Sequence, residues 1–143
     1  MKTNSTKAFI LFPLALIVIL AVVNWRFVLL TLHVQDEEIA RTSDCGATRT
    51  IIRLVPRTES PIDASIRALF ARELSTYATY ESVTVENGIA RILVSKDADP
   101  EGRTIGSLSS CEGRHLFSVL LETLRQYGVS EIELHTAEGK VEF

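Results

Sequence analysis

The hydrophobic pattern of the chain changes period as it proceeds, and each change marks an element. Ala8–Val23 is a run of sixteen residues without a charge, and after Asn24, Trp25 and Arg26 the apolar character resumes over Phe27–Leu32. A helix through the hydrocarbon core of a bilayer needs about 20 mostly apolar residues, so the run predicts a transmembrane signal anchor over residues 8–32. Trp25 and Arg26 then sit near the outer interface, where an indole is at home and an arginine snorkels. Pro13 lies inside the span, which a lipid-embedded helix tolerates. Residues 33–44 are polar without a sustained period and predict a juxtamembrane stalk.

Beyond residue 44 the periods are those of a small folded domain. Thr48–Val55 alternates, with Thr50, Ile52 and Leu54 on one face and Arg49, Ile51, Arg53 and Val55 on the other, the pattern of a strand. Ser60, Pro61 and Asp63 form a helix start, and Ile62, Ile66, Leu69, Phe70, Leu74 and Tyr77 continue at helical spacing over residues 61–78. Asn87-Gly88 between alternating residues predicts a two-residue hairpin, with Glu86 opposite Ile89, Val85 opposite Ala90 and Val83 opposite Ile92. A polar loop spans Lys96–Ser109. Ser109 and Glu112 have capping-box spacing, and Leu116, Leu120, Leu124 and Tyr127 carry a second helix to Gly128. Ile132, Leu134 and Thr136 alternate with Glu131, Glu133 and His135, and Glu138-Gly139 turns the chain toward a short last strand over Val141–Phe143. The predicted class is α+β, βαββαβ(β), with two helices packed on one face of a small mixed sheet and one transmembrane helix in front.

Charge sharpens this division. The chain has 15 basic and 18 acidic residues, but Lys2, Lys7 and Arg26 belong to the anchor region, which leaves 12 basic against 18 acidic from residue 36 onward. A mildly acidic domain without clustered positive charge gives no reason to expect nucleic acid. Lysines before the run and Asp36, Glu37 and Glu38 after it place residues 1–7 in the cytoplasm and the C-terminal domain outside, by the positive-inside bias. The alternative is a cleaved secretion signal, but Ala21-Val22-Val23-Asn24 lacks the small-residue cleavage pattern. Two cysteines, Cys45 and Cys111, lie beyond the anchor, and in an oxidising compartment such a pair reads as one disulfide.

Arg53-Leu54-Val55-Pro56, Ala68-Leu69, the hairpin Ser82-Val83-Thr84-Val85-Glu86-Asn87-Gly88-Ile89-Ala90, and Glu122-Thr123-Leu124-Arg125-Gln126-Tyr127 followed by Val129-Ser130-Glu131-Ile132 together resemble the GerMN domain, the sporulation and spore germination module of bacterial envelope proteins. The resemblance covers about Cys45 to Lys140, so the GerMN-like domain takes in residues 45–143. It implies an extracytoplasmic module associated with envelope assemblies, and no catalytic residue to carry over. The chain has one copy where some members have two, and a short link between first helix and hairpin.

The chemistry of the residues agrees with a module that binds. No G-x-S-x-G elbow is present. Cys111 and His115, four apart on a helix, form the alternative, as a nucleophile pair or as metal ligands with Cys45 or His135 as a third. The preferred reading assigns no catalytic residue, no cofactor and no metal. It places partner binding on the sheet face opposite the helices, with Arg49, Ile51, Arg53, Arg91 and Leu93 as the contact residues, beside Val55, Glu131, Glu133 and His135. The first strand is expected between the third and fourth, which sets its arginines against the glutamates. The expectation is a single-pass protein of the bacterial cytoplasmic membrane whose outer domain binds envelope proteins, with cell-wall glycan as a second class of partner.

Overall fold

The computed structural model describes residues 5–41, 44–58, 60–95 and 105–141, with side chains described from Pro13 onward. The first helix, α1, spans Ser5–Arg26. It stops where a strand begins: β1, Phe27–Gln35, pairs antiparallel with β2, Thr48–Pro56, from Phe27 opposite Pro56 to Gln35 opposite Thr48. Two expectations are corrected here. Residues 27–32 do not extend the apolar helix, and the stalk expected over 33–44 begins inside the same strand and continues into a helical turn, with residues 42 and 43 outside the described residues. Val28, Leu30, Leu32 and Val34 alternate with Leu29, Thr31 and His33; in the ribbon with β2, Leu30, Leu32 and Val34 are buried in the domain core and Val28 is partly buried against it. The connection holds a single helical turn, α2, Glu37–Ala40, capped by the Asp36 carboxylate, which accepts from the amides of Glu38 and Ile39.

The second helix of the domain, α3, spans Pro61–Phe70 with Ser60 as its N-cap, whose hydroxyl accepts from the Asp63 amide at 3.0 Å. It ends earlier than the spacing to Tyr77 predicts. The Leu69 carbonyl accepts from both Arg72 and Leu74, and Ser75 donates its hydroxyl to the Arg72 carbonyl, so side chain and turn take over the backbone groups that a continuing helix would use. Leu74 and Ala78 remain buried all the same.

The hairpin follows the expected register. β3, Tyr80–Glu86, and β4, Ile89–Val94, turn at Asn87 and Gly88 with φ of 52° and 79°. Helix α4, Ser110–Arg125, opens with the predicted capping box: the Glu112 amide donates to the Ser109 hydroxyl, and the Ser109 amide donates to the Glu112 carboxylate at 2.8 Å. A left-handed Gly128, φ 81°, follows the helix. β5, Glu131–Thr136, then runs parallel to β4, and β6, Gly139–Lys140, returns antiparallel beside it. The last strand is therefore placed earlier than residues 141–143, of which 142 and 143 lie outside the described residues, as does most of the 96–109 loop.

The α+β class stands, but the single sheet does not. The described strands form a two-stranded ribbon, β1-β2, and a four-stranded mixed sheet in the order β3-β4-β5-β6. The strand over residues 48–56 is not inserted between hairpin and β5; it goes to β1 instead. Helices α3 and α4 touch both sheets, and one core joins Leu30 and Leu32 of the ribbon, Ile66 and Leu69 of α3, Leu116 and Leu120 of α4, and Ile92 and Leu134 of the sheet. Among the described residues, no helix is long and apolar enough to cross a membrane. The part of α1 with described side chains, Pro13–Arg26, is about 21 Å long at 1.5 Å per residue.

Cys45 and Cys111 are joined as a disulfide, with Cα atoms 5.4 Å apart across a separation of 66 residues. The bond ties the loop before β2 to the first turn of α4. At Gly46 a Cβ would stand 2.7 Å from the Ser118 hydroxyl on the same helix, so a larger residue would have to displace that side chain.

Candidate functional site

The expected contact residues do not form one surface. On β2 the faces are reversed from the expectation. Val55 is buried, Ile51 is partly buried against the core, and Ile52 and Leu54 point outward. Arg53 turns inward with Val55, where its Nη2 donates to Glu73 Oε1 at 2.8 Å and its Nη1 is buried without a hydrogen-bond partner. Arg49 shares that face by alternation but is exposed at its end. β2 alone is ambiguous, since Ile51 and Val55 compete with Ile52 and Leu54. The buried side is chosen by β1, whose core-facing Leu30 and Leu32 pair with Arg53 and Ile51.

Arg91 and Leu93 do lie together, on the face of the four-stranded sheet away from Ala90, Ile92 and Val94, which are buried. Parallel pairing of β4 and β5 sets Arg91 opposite Glu133 and Leu93 opposite His135. Glu133 is the hub of this face. It accepts from Lys140 Nζ at 2.8 Å, from Arg91 Nε at 3.1 Å and contacts His135 Nε2 at 3.3 Å, while Arg91 also reaches Glu86 at 3.1 Å. Hydrogen bonds from Lys140, His135 and Arg91 bring the Glu133 carboxyl down to about 2, so it is ionised throughout the physiological range. The arginine beside Glu133 is thus Arg91, where the arginines of β2 were expected.

The Cys111/His115 pair shares the first turns of α4 but is not poised for chemistry. The Cys111 sulfur is bonded to Cys45. His115 is buried, its Nδ1 lies 3.0 Å from the Tyr77 hydroxyl, and its Nε2 has no hydrogen-bond partner. Burial lowers the His115 pKa from its ordinary value, against the opposing pull of the Glu73 charge. Among the described residues, no group of three His, Cys, Asp or Glu side chains is placed to hold a metal ion.

Elsewhere a second polar cluster pins α3 to the hairpin. The Tyr80 hydroxyl donates to Asp63 at 2.5 Å, Arg67 Nε donates to the other oxygen at 2.9 Å, and the Arg67 guanidinium lies 5.1 Å from the centre of the Tyr80 ring. Burial pushes the Asp63 carboxyl up, but the hydrogen bonds from Tyr80, Arg67 and Thr58 outweigh it and leave the pKa lowered. A groove of ≈570 Å³ runs between β2 and α3, with Arg53, Leu54 and Val55 on one wall and Arg67, Ala68 and Arg72 on the other.

One surface escaped the reading of the sequence altogether. The outer face of the ribbon exposes Leu29, Ile52, Leu54 and part of Phe27. The signal for it was present as the alternation over residues 28–34, hidden because Phe27–Leu30 is apolar at every position. Comparison with known protein families, with curated proteins and with solved structures finds no match to the chain.

Proposed function

We propose that the chain is a membrane-anchored interaction module of the bacterial cell envelope, without catalytic activity. α1 is the anchor, residues 1–7 are cytoplasmic and the disulfide-bonded domain is outside. The observation that carries this reading is the apolar surface of α1. Leu16, Ile17, Val18, Ile19 and Leu20 are all exposed, and at 100° per residue these successive positions cover every side of the helix. A helix apolar all round is stable when buried in a large core or in lipid, and the domain has no second core to offer it. Ala8–Val23 without a charge, preceded by Lys2 and Lys7, supports the same orientation. The disulfide fits an oxidising compartment.

The contact surface is the outer face of the four-stranded sheet, centred on Arg91, Leu93 and Glu133. Leu93 is half-buried among these charges and offers an apolar centre within a polar rim. The GerMN-like residues support a protein partner within an envelope assembly, with cell-wall glycan the less favoured class. The enzymatic reading loses its nucleophile to the disulfide and its base to burial. A photocrosslinking amino acid at Leu93, in native membranes, is expected to trap an envelope protein at one discrete mass, and Arg91→Glu is expected to abolish that adduct. Adducts of no defined mass, or adducts indifferent to Arg91→Glu, would refute the assignment of this face.

A further inference from the structure

The ribbon grows out of α1 with no residue between them, Arg26 ending the helix and Phe27 opening β1. The return strand is tied to the same point, since the Arg57 amide donates to the Arg26 carbonyl and Arg57 Nη2 donates to the Asn24 carbonyl, both at 2.9 Å. The lower end of the ribbon is therefore held at the end of the helix.

Along the outer face, polarity is graded by distance from that end. The cross-strand pairs, taken outward, are Phe27 with Pro56, Leu29 with Leu54, Thr31 with Ile52, His33 with Thr50, and Gln35 with Thr48. Leu29 is 67% exposed, Leu54 53% and Ile52 71%. Every apolar residue of this face lies in the first three pairs, and the last two pairs are wholly polar. Successive pairs on one face are about 7 Å apart at 3.4 Å per residue. A bilayer about 40–45 Å thick around a hydrocarbon core of about 30 Å leaves about 5–7 Å of headgroup layer on each side. With the end of α1 at the hydrocarbon boundary and the ribbon rising along the membrane normal, the first pair falls within that layer, Leu29 and Leu54 at its outer limit, and Ile52 and the polar pairs beyond it.

We propose that the root of the β1–β2 ribbon is seated in the headgroup layer of the bilayer. Phe27 contacts the glycerol region, Leu29 and Leu54 pack among the headgroups, and the guanidinium groups of Arg26 and Arg57 meet lipid phosphates. This rests on α1 being a membrane anchor. Trp25, 82% exposed at the end of α1, completes an interfacial set of one indole and two arginines at a single level. Lipid is favoured over a second copy of the chain for two reasons. The grading follows distance from the helix end, which a dimer contact does not require. Four apolar side chains also fall well short of the roughly 800 Å² per partner of a standard protein interface.

The test uses the full chain in vesicles of phosphatidylcholine and phosphatidylglycerol, with the native disulfide intact so that one added cysteine is the sole free thiol. Nitroxide labels on Leu54→Cys and Thr50→Cys are compared for collision with oxygen and with a water-soluble nickel complex. The ratio of oxygen to nickel accessibility is expected to be severalfold higher at position 54 than at position 50. Quenching of Trp25 fluorescence by brominated lipid reports the anchor independently. Quenched Trp25 with equal, water-like ratios at both positions overturns the seating and leaves the anchor standing. Unquenched Trp25 overturns both. A short dipolar distance between position-54 labels on two chains shows a second copy on the face, and overturns the proposal.

Discussion

Replacing both cysteines, Cys45→Ser with Cys111→Ser, removes a cross-link whose contribution is set by the 66-residue separation of its ends. In the chain-entropy model, closing a loop of that length takes roughly 4 kcal/mol of conformational freedom from the unfolded chain at 25 °C. Little native packing goes with the bond, because Cys111 is exposed on the first turn of α4. The unfolded state therefore bears most of the effect. Urea unfolding of the full chain in detergent, followed by Tyr and Trp fluorescence, is the assay. With a urea slope of about 1–3 kcal/mol/M for a small domain, the midpoint of the serine variant is expected to fall by about 1.5–4 M. Each single variant is expected to lose as much as the double one, since either removes the same bond. Thiol labelling of the unreduced, denatured wild type is expected to find both cysteines blocked. A midpoint unchanged within error, or two reactive thiols before reduction, would refute the reasoning.

The reversed face of β2 predicts that Leu54→Asn changes stability by less than about 0.5 kcal/mol, whereas Val55→Asn, at a buried position, costs about 2 kcal/mol or more; chemical denaturation of both variants compares them, and the opposite order would restore the expected face. The lowered pKa of buried His115 makes the unfolded chain take up a proton first, so stability is expected to be flat above about pH 6.5 and to decline as pH falls from there toward the folded value. His115→Phe is expected to remove that part of the decline, and identical pH profiles for variant and wild type would contradict it. Thr123, wholly buried on α4, accepts from the His33 amide at 2.8 Å and so fastens the ribbon to the helix; Thr123→Val is expected to cost about 1 kcal/mol and to raise amide exchange at His33. Unaltered exchange there would show that this bond does not hold the ribbon.

What was legible in the sequence was local. Asn87-Gly88 named its own turn because two successive positive φ angles suit that dipeptide, and the register of β3 and β4 followed from it. Ser109 with Glu112 marked the start of α4 through bonds made within one turn. The cysteines were legible as a pair because there are only two. What was not legible depends on contacts distant in sequence. Phe27–Leu32 reads equally as helix or strand until β2 supplies a partner, and β2 reads equally from either face until β1 supplies the buried side. That pairing also removes β2 from the four-stranded sheet, and with it the arginines expected beside the glutamates. Of the proposed contact face, Arg91, Leu93, Glu133 and His135 share a face as expected, because they lie on strands whose own alternation is unambiguous, but they are direct neighbours only because β2 does not come between their strands.

The proposed function requires the domain to be held outside the membrane by an uncleaved α1. Its most direct test is protease treatment of intact spheroplasts, followed by alkaline carbonate extraction and N-terminal sequencing of the chain. The expected result is an intact N-terminus, a chain retained in the carbonate pellet, and a disulfide-bonded domain digested without lysis. A chain that begins beyond residue 23, washes off in carbonate, or resists protease until the cells are lysed would contradict it.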